Sequence, residues 1–297
     1  MSSSTTPYHG DPGAVAIPAP APAAFPFVQV AWFLGLLVAL FFPVLATMVK
    51  EWATLDEMGH GFFVPLVAGY IVWNDRERIL ATPVKPCPAA SLLIAWGFFQ
   101  MILGFVGADF FVARTAFLAA LVGIIWTLGG TAVLRALSFP LFILLFMIRI
   151  PLFAYQQMTF PLQIFASRVA TEALQLLGVP VMRDGNILEL PSGKLEVIEA
   201  CSGIRSLLSL TFLSLAYAYV FDTRTWMRPV LFLCAIPIAI TANSIRITLT
   251  GIISEYNKSM AEGFFHSFEG WVLFMVALGG LIATHQLICR FTRSSHA

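Results

Sequence analysis

Charge is what this sequence has least of. Asp, Glu, Lys and Arg make up 11% of its 297 residues and nearly cancel, to a formal net charge of +1, while 59% of the residues are hydrophobic. A soluble domain carries about 25% charged and about 45–50% apolar residues, so a water-surrounded globule is excluded and an integral membrane protein is implied. So small a net charge provides no basic field for a phosphate backbone, and the aromatic residues are spread through apolar runs instead of alternating with basic clusters. Nucleic-acid binding is therefore excluded too. Cysteine is scarce: the four, at 87, 201, 234 and 289, show neither CxxC metal spacing nor a compact disulfide framework, so neither a metal nor a cofactor is expected. Also missing is a basic stretch ahead of the first apolar run, so no cleaved signal peptide is expected.

What is there begins with a Ser, Thr, Pro and Ala-rich leader over residues 1–24, with no hydrophobic period and no expected order. Long apolar runs follow, each measured against the roughly 20 residues a bilayer crossing needs. They are Phe27–Val49, Gly61–Leu80, Ala89–Val106, Phe110–Leu128, Thr131–Ile150, Ser202–Phe221, Pro229–Ile253 and Trp271–Ile288. The second reaches spanning length only if Arg76 and Arg78 snorkel from its inner end. The expected fold is an all-α polytopic membrane protein of about eight transmembrane helices, a single domain over 25–297 with the bilayer as its permanent partner. Basic residues of the short loops set the orientation. Arg76, Arg78, Lys85, Arg135, Arg224, Arg228, Arg290 and Arg293 fall on one side, so both termini are assigned to the cytoplasm.

Residues 151–200 form the one substantial outer segment. Its first half, Tyr155 to Leu177, places Phe160, Ile164, Phe165, Val169, Ala173, Leu174 and Leu177 at helical spacing, which predicts an amphipathic helix lying against the others or in the interface. Gly178 and Pro180 stop it. Turn signals at Asp184-Gly185-Asn186 and Pro191-Ser192-Gly193, between alternating residues, predict a small β-meander.

The meander feeds directly into Cys201, at the start of the sixth span. A thiol at a helix start lies near the positive end of the helix dipole, which favours the reactive thiolate; the plainer reading is an inert core cysteine. On the assigned topology Cys201 is the sole outward-facing cysteine, without a disulfide partner on its side of the membrane, which favours use of the thiol itself. In the seventh span Arg246 carries an insertion cost of roughly 2.5–3.5 kcal/mol. Asn243, three residues earlier, shares its helix face; a polar clasp between spans is the structural reading of this pair. His266, where the last outer loop enters the eighth span, suits proton exchange near neutral pH, although an isolated histidine there is more often interfacial. Cys201, Arg246 and His266 belong to three different spans yet all are assigned to the outer half. A thiolate to attack a carbonyl, a histidine to move the proton and a fixed cation for the oxyanion make a peptidase set. Arg205, four residues after Cys201, either lowers the thiol pKa or pairs with Glu199, the pairing being favoured. His60, in Gly59-His60-Gly61, is a rival base whose glycine flanks suggest close backbone approach.

Glu199-Ala200-Cys201-Ser202-Gly203-Ile204-Arg205, Asn243-Ser244-Ile245-Arg246 and the later His266 resemble the signature blocks of the exosortase/archaeosortase membrane proteins. The resemblance extends to Gly59-His60-Gly61-Phe62, Phe160-Pro161-Leu162-Gln163 and Gly185-Asn186-Ile187, and covers most of the chain from Trp52 onward. It implies a bacterial inner-membrane cysteine peptidase and transpeptidase with its active site facing the periplasm. Its partners would be the C-terminal sorting tails of exported proteins, typically a Pro-Glu-Pro motif, a membrane helix and a basic cluster, together with an unidentified acceptor nucleophile. By motif position Cys201 would be the nucleophile, Arg246 the cation and His266 the general acid and base; a histidine there resembles the bacterial type. Two other readings stand beside it. One is a transporter with Arg246, Arg114 and Asn243 lining a pathway; the other is a non-catalytic factor for exopolysaccharide export.

Overall fold

The structure, a computed structural model, describes residues 27–197, 203–256 and 264–294, with the side chains of 264–269 and 293–294 outside the description. The expected leader 1–24 lies outside the described residues. Helices dominate, as the apolar runs predict: α1 (Phe27–Leu40), α2 (Phe42–Thr54), α3 (Phe63–Asn74), α4 (Arg76–Leu80), α5 (Ser91–Val106), α6 (Phe110–Ala136), α7 (Ser138–Ile143), α8 (Leu152–Leu176), α9 (Ile204–Phe221), α10 (Met227–Tyr256) and α11 (Phe264–Ser294). The all-α polytopic membrane fold therefore stands, but its spans divide differently from the runs. Among the described residues, five helices are long and apolar enough to cross a membrane, or up to seven spans if each of two bent pairs counts as one. The first expected span bends by 71° between α1 and α2, where Phe41 is fully buried against Phe98 and Phe117. The second expected span is cut at Asp75, leaving a 12-residue and a 5-residue helix. Neither approaches the roughly 20 residues needed to cross; Asp75, at the break, pairs with Arg78 at 2.8 Å.

The fifth expected span, Thr131–Ile150, is interrupted at Leu137 between α6 and α7, and the expected boundary between the fourth and fifth falls at a turn. At Gly130 the chain adopts φ 79° and ψ −177°, a conformation essentially confined to glycine. A side chain there would collide with the Lys85 carbonyl. The loop before α5 lies along this turn, with the Lys85 N–H donating to Gly129 O at 3.2 Å and the Cys87 N–H to Thr127 O at 3.1 Å. The chain then runs through α7 and a 3-10 turn, Leu144–Met147, and bends by 82° into α8.

In α8 the expected helix is present, but the face it buries is not the large apolar one. Tyr155, Thr159, Gln163, Ala166, Ser167, Ala170, Thr171 and Leu174 point inward, while Phe160, Phe165 and Leu177 are exposed. The buried hydroxyls of Thr159, Ser167 and Thr171 donate to carbonyls four residues back, at 2.7–2.8 Å. Small, self-satisfied polar residues pack closely between helices, and phenylalanines are left for lipid. After α8 comes the expected meander: antiparallel β1 (Met182–Asp184), β2 (Ile187–Leu190) and β3 (Gly193–Glu196) in that order. Leu188 faces Leu195 and Glu189 faces Lys194 across β2 and β3. Its apolar face, Leu188, Leu190 and Val197, packs on Ala170 and Leu174 of α8 and Ile247 of α10. The Ser192 N–H donates to Glu255 at 3.0 Å, tying the meander to the end of α10. A separate core of Leu210, Met227, Leu231, Ala235, Ala239, Ala277 and Leu281 joins α9, α10 and α11.

The Gly130 turn gives a direct check. Gly130→Ala forces a strained backbone costing about 1–3 kcal/mol before any clash is counted, so its thermal unfolding midpoint in detergent falls by several degrees. Gly35→Ala, where nothing lies within 4 Å of the added carbon, leaves the midpoint unchanged. Equal midpoints for the two variants would mean that the turn accepts a side chain.

Candidate active site

Cys201 and Glu199 fall in residues 198–202, outside the described residues, so the site is built from what flanks them. On one side Val197 is buried; its N–H donates to Asn186 O at 2.9 Å, and the Asn186 side chain donates back to Val197 O at 3.1 Å. The meander thus ends at a fixed point. On the other side Gly203, at φ 80°, stands in the left-handed region and caps α9. A side-chain carbon at Gly203 would sit 2.7 Å from Cγ of Asn243, so glycine is required by both conformation and space.

Asn243 and Arg246 are both buried, at 5% and 9% exposure, one turn apart on α10. The Arg246 carbonyl accepts from Thr250 Oγ1 at 2.9 Å. Its guanidinium reaches toward α11, where Nη1 lies 3.5 Å from the position a Cβ would take at Gly270. His266 belongs to the first turn of α11, four residues before Gly270, and its side chain lies outside the description. One buried polar turn of α10 is therefore in contact with the start of α9, two residues after Cys201, and with the first part of α11. Burying a guanidinium in an apolar bundle costs several kcal/mol unless it is paired or hydrogen-bonded, which makes this turn a strongly constrained place in the bundle.

The other sequence candidates separate into structural roles. Arg205 pairs with Asp56 at 3.1 Å across to the 3-10 segment 56–62; both side chains are well exposed, so the pair contributes little, about 0–1 kcal/mol. His60 in that segment is held at both ring nitrogens, Nε2 3.2 Å from the Phe146 carbonyl and Nδ1 3.4 Å from Ser209 Oγ on α9. A carbonyl can only accept, so Nε2 carries the proton and Nδ1 accepts from the serine. Burial pushes the imidazole pKa below its ordinary value, against the raising effect of its backbone hydrogen bonds. Of its glycine neighbours, Gly61 packs on the Trp52 ring as the close-approach reading expects, whereas Gly59 has nothing within 4 Å. Arg114 is buried in a 2.8 Å ion pair with Glu51 and lines a separate cleft of about 320 Å³ with Lys50 and Arg149.

A second polar cluster, at the far end of α9, escaped the sequence reading. Asp222 accepts from the Arg224 backbone and guanidinium and lies 2.9 Å from His285 Nε2, with Cys289 beside them. The Arg224 hydrogen bonds, reinforced by His285 and opposed by burial, hold the Asp222 carboxyl well below the usual carboxylate range. The available signal was the spacing of His285 and Cys289, four apart on one helix face.

Compared with known families, residues 52–283 match the model described as transmembrane exosortase (Exosortase_EpsH). No curated protein and no solved structure matches the chain.

His60 makes a pH prediction. Because its folded pKa is lowered, its contribution to stability is complete above the ordinary imidazole value of about 6.5 and is lost as pH falls through the lowered one. The thermal midpoint of the unsubstituted protein is therefore expected to fall more steeply on acidification below that value than the midpoint of His60→Gln, whose amide does not titrate. Parallel curves would contradict the assignment.

Proposed function

Since the chain belongs to the transmembrane exosortase family, we propose that it is a membrane-embedded cysteine peptidase and transpeptidase that cleaves C-terminal sorting tails of exported proteins. In this reading Cys201 is the nucleophile, His266 the general acid and base, and Arg246 the cation that stabilises thiolate and oxyanion. The observation that supports it most is the contact of Gly203 with Asn243, together with the approach of Arg246 to Gly270. Two residues of chain span at most about 7 Å, so covalent connection alone keeps the Cys201 backbone near the Asn243–Arg246 turn, and one helical turn separates His266 from Gly270.

The chemistry follows from those roles. The Cys201 thiol passes its proton to His266 and the sulfur attacks the scissile carbonyl carbon, forming a C–S bond and moving the π electrons onto oxygen. Arg246 faces that oxyanion from a site of low dielectric, where a fixed cation is worth far more than in water. Collapse of the intermediate breaks the C–N bond, and His266 returns the proton to the leaving amine. The thioester is then resolved by water or by an acceptor amine, regenerating the thiol. A tail that is itself a membrane helix brings its cleavage motif to the interface by diffusion in two dimensions. The outer, periplasmic side of a bacterial inner membrane, with cytoplasmic termini, is the setting this requires. Against a transport pathway lined by Arg246, Arg114 and Asn243 stands the Arg114–Glu51 pair, in a cleft to which neither Asn243 nor Arg246 contributes.

Co-expression with a tagged substrate carrying a Pro-Glu-Pro tail, read by gel shift, tests the assignment. Cys201→Ala is expected to reduce conversion on the order of 10⁴-fold or more, Arg246→Ala by about 10²–10³-fold, and His266→Ala to a level comparable with loss of the thiol. Full conversion by Cys201→Ala would end the peptidase reading.

A further inference from the structure

The cluster at the far end of α9 is about 27 Å from Gly203 along that helix, at about 1.5 Å per residue. Asp222 follows α9, and His285 and Cys289 stand on α11. Their donor atoms converge. His285 Nε2 is 2.9 Å from Asp222 Oδ2 and 3.3 Å from Cys289 Sγ, and Cys289 Sγ is 3.8 Å from Asp222 Oδ2. Zinc bonds of about 2.0–2.3 Å at tetrahedral angles set ligand atoms about 3.3–3.7 Å apart, so this triangle is within a few tenths of an ångström of one face of a zinc tetrahedron. The opposite ring nitrogen of His285 is 3.0 Å from the Tyr217 hydroxyl, the outer hydrogen bond that orients a ligating imidazole. A nucleophile triad is not formed: there the carboxylate holds the nitrogen remote from the nucleophile, whereas here carboxylate and thiol share Nε2.

Donors of this kind converging on one point call for a cation, and Arg224 marks where it goes. Its Nη2 is 2.7 Å from both Asp222 Oδ2 and Cys289 Sγ. The residue has other anchors: Nε donates to Asp222 Oδ1 at 3.0 Å, the backbone N–H to the same oxygen at 2.8 Å, and Nη1 to Thr292 Oγ1 at 2.9 Å. The backbone N–H bond to Oδ1 survives any movement of the side chain, whereas the guanidinium is one rigid plane, so the Nη2 contacts are given up only when the whole group swings out of the cluster. Asp222 and His285 are buried, and a cleft of about 430 Å³ lined by Tyr217, Phe221, Gln286 and Arg290 reaches His285 and Cys289.

We propose that Asp222, His285 and Cys289 bind a zinc ion, with Tyr217 orienting His285 and the Arg224 guanidinium as the cation that zinc displaces from the shared position. Thiolate, imidazole and carboxylate together suit zinc among the common divalent ions. On binding, the Cys289 sulfur loses its proton to solvent as the S–Zn bond forms, the His285 Nε2 proton is likewise released while Nδ1 takes one up and donates to the Tyr217 hydroxyl, and water completes the fourth position. The site is independent of the proposed peptidase chemistry, so either can fail alone.

Full-length protein purified in detergent and stripped of metal is titrated with zinc against a chromophoric chelator, and separately with cobalt(II) followed by absorbance. One-to-one zinc binding is expected, weakened at least 100-fold in Cys289→Ser and in His285→Ala and by about 10–100-fold in Tyr217→Phe, but unchanged in Cys201→Ala. Cobalt gives a thiolate-to-metal charge-transfer band in the unsubstituted protein, a reading that needs no variant to fold. No stoichiometric zinc and no such band, or zinc binding indifferent to Cys289→Ser and His285→Ala, would overturn the site and leave an ion pair neutralised by Arg224.

Discussion

The proposed site depends on one costly burial: the Asn243–Arg246 turn of α10, sunk in an apolar helix packing. A guanidinium in such surroundings must be supplied with partners by the segments around it, and the neighbours that close on this turn are the glycine cap of α9 and the first part of α11. The choice of glycine at 203 follows from that closeness, since a left-handed cap pressed against an asparagine side chain leaves no room for Cβ. The meander serves the same end. It anchors Val197 through Asn186 and fixes itself to α10 through Glu255, so the chain enters the Cys201 stretch from a defined place.

Much of this architecture was legible because the lipid environment limits what a sequence can do. Apolar runs, the amphipathic stretch after Tyr155 and the turn residues at 184–186 and 191–193 correspond to helices, to α8 and to the meander. The number of spans was not legible. Hydropathy separates the runs on either side of Gly130, but it does not register a bend at Phe41 or a cut at Asp75, each of which depends on what packs opposite. Nor did periodicity reveal which face of α8 is buried. In water the large apolar residues go inward; in lipid both sides are apolar, and small residues with self-bonded hydroxyls win the interior.

For the site, residue types were legible and partnerships were not. Arg205 finds Asp56, distant in sequence, and His60 is locked between a carbonyl and a serine. Both partnerships join segments that only the fold brings together. The match to the transmembrane exosortase family covers residues 52–283 and so includes every candidate active-site residue. The Asp222 cluster, at the opposite end, gathers buried polar groups around a charge in the same way.

The central proposal is that Cys201 and His266 act together beside the Arg246 turn. It is tested most directly by thiol cross-linking in the folded protein, with Cys87, Cys234 and Cys289 replaced by serine and His266→Cys introduced beside the native Cys201. A short bifunctional thiol reagent should join the two rapidly in membranes, and should not join Cys201 to His285→Cys, near the other end of α11. Equal and slow linkage of both pairs would contradict the account.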